Sequence, residues 1–218
     1  MSGQEKENPF DFKPDYSKPV GPPMKDEHFL RGSTKMHKAA ALLNFDEVDK
    51  LLAGDDAKDV DTGDVLNQTP LTLLSRNHYD TDDVPKACAM IKKLIAAGAT
   101  LVTEDEGKIK RDQYGDSLIH LAAMATGRNG SAIVQALVDA LPTDGPYTKA
   151  QLVSARCKNF GNTPLHWTTL SGDVDSCQCL IEAGARLDRK NRLKETILDY
   201  AVKYEHPKLK VKYEGLLK

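Results

Sequence analysis

The chain has 218 residues, of which 40% are hydrophobic, 28% charged and only 6% aromatic, and its formal net charge is -2. That length holds one elongated array or one to two globular domains, and so balanced a charge gives no support to a nucleic-acid or membrane-surface protein as a whole. No stretch approaches the roughly 20 apolar residues of a membrane-crossing helix, and no apolar signal-peptide core follows the polar first residues.

Residues 1–32 read as a separate region. Pro9, Pro14, Pro19, Pro22 and Pro23 interrupt any helix among many charges, so an extended or disordered arm is expected. Its Phe10, Phe12 and Tyr16 suit an arm laid on the following domain or a short linear motif for a partner.

From Thr34 onward one pattern recurs. Its copies are Thr34-Lys35-Met36-His37, Gln68-Thr69-Pro70-Leu71, Asp116-Ser117-Leu118-Ile119-His120, Asn162-Thr163-Pro164-Leu165-His166 and Glu195-Thr196-Ile197-Leu198-Asp199. The threonine or serine caps a helix, and proline suits the first helical position because that amide needs no partner. The opening residues are spaced 35, 48, 46 and 33 apart, so the array is expected to carry insertions in its second and third units.

The second helix of each unit shows apolar residues at helical spacing: Val48, Leu51 and Leu52; Met90, Ile91, Leu94 and Ile95; Ile133, Val134, Leu137 and Val138; Leu180 and Ile181. Gly172 and Gly127 are expected to turn the chain between the two helices of a unit, and Gly98 and Gly184 to end the second helices. Insertions fall at 77–83, 103–112, 127–130 and 142–152, and Thr148-Lys149-Ala150-Gln151 has the form of a capping box, which predicts a short extra helix. Asp82 or Asp83 is expected to cap the helix that begins at Val84-Pro85.

These motifs resemble the ankyrin-repeat family. The resemblance rests on Gly161-x-Thr163-Pro164-Leu165-His166, Gly172, Ala97-Gly98-Ala99, Ala183-Gly184-Ala185, Asp112-x-x-Gly115 and Thr196-x-Leu198-x-x-Ala201. It implies an all-α solenoid of stacked antiparallel helix pairs with hairpin-like finger loops. The domain would cover 33–218, with units near 33–64, 65–111, 112–158, 159–190 and 191–218.

Chemistry finds little support. His37, His120 and His166 occupy one motif position in different units, and the resemblance implies a ladder of structural hydrogen bonds. Cys88, Cys157, Cys177 and Cys179 lack CxxC spacing, so buried reduced thiols are expected and a zinc site is not. Asp80, Asp82 and Asp83 lack the spacing of a calcium loop. There is no Gly-rich phosphate loop, GxSxG or HExxH. No catalytic residue, metal ligand or cofactor is assigned.

The implied working surfaces are the finger row and the concave side built by the first helices. Interface energy concentrates in aromatic and arginine anchors. The expected partner-binding residues are Arg76, Arg111, Gln113, Tyr114, Asp116, Met124, Phe160, Asn162, Leu170, Arg192 and Tyr204. Trp167 stands where the family has leucine and is expected to be partly buried between helices.

The leading reading is a non-catalytic module that binds another protein as adaptor or inhibitor, including the type carried or injected by bacteria or used in immunity. It would be monomeric alone, unassociated with membranes, and cytoplasmic or exported without an N-terminal signal peptide. An alternative is an enzyme or enzyme-regulatory module that uses the long insertions, with His78, Asp80 and Cys157 as its test positions. Nucleic-acid binding ranks last. It would use the C-terminal unit, where residues 186–218 hold 10 basic and 5 acidic side chains.

Overall fold

The computed structural model describes residues 32–77, 79–100, 109–129, 131–141 and 147–218, with the side chains of 126–129 excepted. The expected N-terminal arm, except Gly32, and His78 lie outside the described residues, as do 101–108, 130 and 142–146 of the insertions.

The described chain is helical. Its helices are α1 (Lys35–Ala41), α2 (Phe45–Leu52), α3 (Pro70–Arg76), α4 (Val84–Ala96), α5 (Leu118–Asn129), α6 (Ala132–Asp139), α7 (Lys149–Val153), α8 (Pro164–Ser171), α9 (Val174–Glu182), α10 (Ile197–Lys203) and α11 (Pro207–Leu216), with a 3-10 helix at Asp55–Asp61. α1 packs on α2, α3 on α4, α5 on α6, α8 on α9 and α10 on α11. Across the pairs, α1, α3, α5, α8 and α10 stack in chain order, while α4, α6 and α9 form a second row.

Local chemistry explains the elements. The Thr69 hydroxyl accepts from the Thr72 amide at 3.3 Å, and Pro70 opens α3 at a position where no amide is missed. Thr148 and Gln151 form the expected capping box and start α7. In three pairs the turn follows one plan. The Asn44 amide donates to Ala39 O, Asp173 to Thr168 O and His206 to Ala201 O. Each closes around a left-handed residue, at Leu43, Gly172 and Glu205 respectively. Gly98 and Gly184 also take positive φ, at 106° and 90°, and end α4 and α9 as expected.

Two expectations on the insertions change, at Gly127 and Asp83, and Tyr79 is placed between them. Gly127 does not turn the chain, because α5 continues to Asn129 and the insertion lengthens the first helix of the pair. Tyr79 is buried, and its hydroxyl donates to Leu74 O at 3.1 Å, which ties Tyr79 to α3. Asp83 occupies the position before α4, but its carboxylate takes Lys86 Nζ at 2.7 Å in place of a backbone cap.

The core is one continuous seam. Met36, Leu71, Leu74, Met90, Ile91, Leu94, Ile119, Ile133, Leu137, Leu165 and Leu180 are fully buried along it. Alanines on α1 and α5 (Ala39, Ala40, Ala122 and Ala123) are also buried where first helices stack. Each pair covers the apolar face of its neighbour, so stability passes along the stack.

Candidate docking surface

The fingers are tight turns zipped to one another. Within them, the Asp64 amide donates to Gln68 O, Asp112 to Asp116 O, Cys157 to Asn162 O and Asn191 to Glu195 O, at 2.8–3.0 Å. Between them, the Gln113 amide donates to Leu66 O at 3.0 Å, Lys158 to Gly115 O at 3.1 Å and Arg192 to Phe160 O at 2.9 Å. Asp64 and Asp112 brace their turns through Oδ1. Asp64 accepts from the Leu66 and Gln68 amides, and Asp112 from those of Tyr114 and Asp116. Backbone so fully committed holds the finger side chains rigidly.

The histidines form the expected ladder. His37 Nδ1 meets the Thr34 amide at 3.0 Å, His120 Nδ1 the Ser117 amide at 3.3 Å, and His166 Nδ1 the Thr163 amide at 3.2 Å. An amide only donates, so Nδ1 accepts and the proton sits on Nε2. Nε2 then donates to the next unit, to Gln68 O (2.8 Å), Asn162 O (3.1 Å) and Glu195 O (3.2 Å). Burial lowers all three rings below the ordinary range, His120 and His166 to about 4. The rings are structural crosslinks.

An open groove of about 520 Å³ lies beside the Asp112–Asp116 finger, lined by Arg76, Asp112, Tyr114, Asp116, Met124 and Phe160, among others. Five of the expected contact residues meet there: Arg76, Tyr114, Asp116, Met124 and Phe160. Tyr114, Met124 and Phe160 stand 50%, 42% and 41% exposed. α3 carries Arg76, α5 carries Met124, and the fingers carry Tyr114 and Phe160. Phe160 meets Trp167 of α8 edge-on at a centroid distance of 6.2 Å, which helps to fix its ring. Trp167 is partly buried, as expected.

The other expected residues are placed elsewhere. Asn162 is 2% exposed, and its side-chain oxygen accepts from Tyr200 Oη at 3.2 Å and Asn191 Nδ2 at 3.1 Å. Leu170 is 8% exposed, and its carbonyl takes the His206 ring at 3.1 Å. Both are internal and leave the surface set. Arg111 donates to Gly115 O at 2.7 Å and lines a smaller adjoining cavity of about 90 Å³. Arg192 donates to Lys158 O at 2.6 Å, and Gln113 is exposed on the Asp112–Asp116 finger. Tyr204 packs edge-on to Tyr200 at 5.3 Å, apart from the groove lining. Asp112 belongs to the groove although sequence reasoning treated it only as part of the Asp112-x-x-Gly115 finger motif, which was the available signal.

No His, Cys, Asp or Glu group of three or more is arranged to hold a metal among the described residues, and no described helix is long and apolar enough to cross a membrane. The four cysteines are free. Burial pushes the Cys157 thiol up, the reverse of what a nucleophile needs.

Residues 119–211 match the model of a family described as ankyrin repeats, in three copies. The expectation of five units extends beyond that match. A mouse protein, palmitoyltransferase ZDHHC13, is 47% identical over 45 residues, which make up 21% of this chain and 7% of that protein. The chain thus spans only a small part of the length of this relative.

Proposed function

We propose, on the premise that this is an ankyrin-repeat protein, that the chain is a non-catalytic docking module. It binds a partner protein through its fingers and the first-helix face and acts as adaptor or inhibitor of that partner. Ankyrin repeats mediate protein–protein contacts. One observation carries the reading to particular residues. Tyr114, Met124 and Phe160 stay exposed around one groove, on a scaffold whose backbone is already bonded. Rigid, exposed aromatic side chains supply contact area at low entropic cost, as binding anchors do. The partner-binding set is therefore Arg76, Tyr114, Asp116, Met124 and Phe160, with Gln113, Arg111 and Arg192 along the fingers.

Affinity purification from a lysate, followed by mass spectrometry, tests this with the parent and a Tyr114→Ala/Phe160→Ala double variant of unchanged melting temperature. A specific partner held by the parent and lost by the double variant supports the assignment. Equal recovery by both proteins moves the interface off the groove. The absence of any specific partner removes the docking reading itself.

A further inference from the structure

The groove is lined by two carboxylates that each keep one oxygen without a hydrogen-bond partner. Asp112 is 8% exposed, and Oδ1 is occupied by backbone amides while Oδ2 is buried with no hydrogen-bond partner. Asp116 Oδ1 is likewise buried and unpartnered. Neither residue is in an ion pair among the described residues. Arg111 gives Nη1 to a carbonyl, and Arg76, though it lines the same groove, bridges to neither carboxylate. Burial first, and the Asp112 charge second, push the Asp116 carboxyl up to about 6. A Cys157 hydrogen bond and the Arg111 charge pull the other way without cancelling the rise.

The rest of the lining is of another kind. Tyr114, Met124, Phe160 and Leu121 give it aromatic and apolar surface. Unpaired acid beside such walls matches a long basic side chain. Its methylenes lie on apolar surface while its head reaches an anion, and a cation is also attracted to aromatic faces. Buried polar groups left without partners are otherwise costly.

We propose that this groove seats a lysine or arginine side chain of the partner protein, its charged head at Asp112 and Asp116 and its stem against Tyr114, Met124 and Phe160. The proposal rests on the docking reading above and gives it a chemical preference. An acidic or purely apolar peptide does not satisfy the two carboxylates.

Selection from a random-peptide display library on the full chain tests it. The selected peptides are expected to share a lysine or arginine. Asp116→Asn, with its melting temperature checked, is expected to weaken them roughly tenfold, the scale of one charge-assisted hydrogen bond. Replacing the shared basic residue of the peptide by glutamine should cost a similar factor, and combining both changes should add little. Tyr114→Ala serves as the second variant if Asp116→Asn unfolds, with the same non-additive pattern expected. Binding peptides without a shared basic residue overturn the proposal and leave the docking reading standing. Fully additive losses also overturn it, because they mean that the basic head and Asp116 do not interact. A library that yields no binder at all counts against the docking reading and the proposal together.

Discussion

Nε2 of His120 donates to the carbonyl oxygen of Asn162 across the junction between two stacked helix pairs, at 3.1 Å. The Asn162 carbonyl also accepts the Cys157 amide at 2.8 Å, so one oxygen joins the ladder to the Cys157–Asn162 finger. His120→Ala removes a buried ring and leaves the Ser117 amide and part of the Asn162 carbonyl unsatisfied. The expected cost is about 3 kcal/mol, from orphaned polar groups plus a cavity. Urea denaturation of the parent and variant measures it, and a loss below about 0.5 kcal/mol is incompatible with a structural crosslink.

The same rings make the fold sensitive to acid. Unfolded histidine titrates near 6.5, whereas folded His120 and His166 are held at about 4, chiefly by burial. Between those values the unfolded chain binds more protons than the folded one, so stability falls as pH drops from about 6.5 toward 4. Each ring contributes on the order of 3 kcal/mol at most over that window. Asp116 works in the opposite sense, since its raised pKa of about 6 lets the folded chain take up a proton first. Melting temperatures from pH 7 to pH 4 should therefore decline, and Asp116→Asn should steepen the decline. A flat profile for the parent would contradict the neutral-ring assignment.

Much of this was legible because the repeat writes its chemistry locally. A capping residue with a histidine three positions on gave the ladder, and Gly98, Gly172 and Gly184 marked turns that occur where expected. Gly127 misled because a helix tolerates an interior glycine at about 1 kcal/mol when packing holds the helix, and α5 is held by buried Ile119, Ala122 and Ala123. Asn162 and Leu170 were misplaced for a different reason. Their burial comes from Tyr200, Asn191 and His206, which lie 29 to 38 residues away along the chain. The unpaired Oδ2 of Asp112 was equally invisible, because an absent partner is a property of the whole fold.

The finger register gives a pair of opposite predictions. Gly115 and Lys194 hold equivalent positions in their turns, at φ of 83° and 65°. At Gly115 a Cβ would collide with Lys158 of the neighbouring finger, whose backbone Cα and N both lie 3.1 Å from it. Gly115→Ala should cost about 2 kcal/mol or more, from left-handed strain plus displaced fingers. Lys194 is exposed and already bears the strain of the left-handed region, so Lys194→Gly should gain a few tenths to about 1 kcal/mol. Thermal melts of the two variants should move in opposite directions, and a shared sign would show that the positions are not equivalent.

The end of the stack is pinned by a buried hydroxyl pair. Tyr213 of α11 is fully buried, and its Oη lies 2.7 Å from Thr169 Oγ1 on α8. Thr169 donates its own proton to Leu165 O at 2.7 Å, so it accepts from Tyr213. Removing the two partners is therefore unequal. Tyr213→Phe deletes a donor and leaves Thr169 still bonded to Leu165, so about 1 kcal/mol is expected. Thr169→Val strands a phenol proton inside the stack with only the weakly accepting Cys177 sulfur beside it, so about 2 to 3 kcal/mol is expected. In the double variant no donor is left stranded, so its loss should fall below the sum of the single losses by about 1 kcal/mol or more. Denaturation of the four proteins measures that difference, and additive losses would mean that the two hydroxyls do not interact.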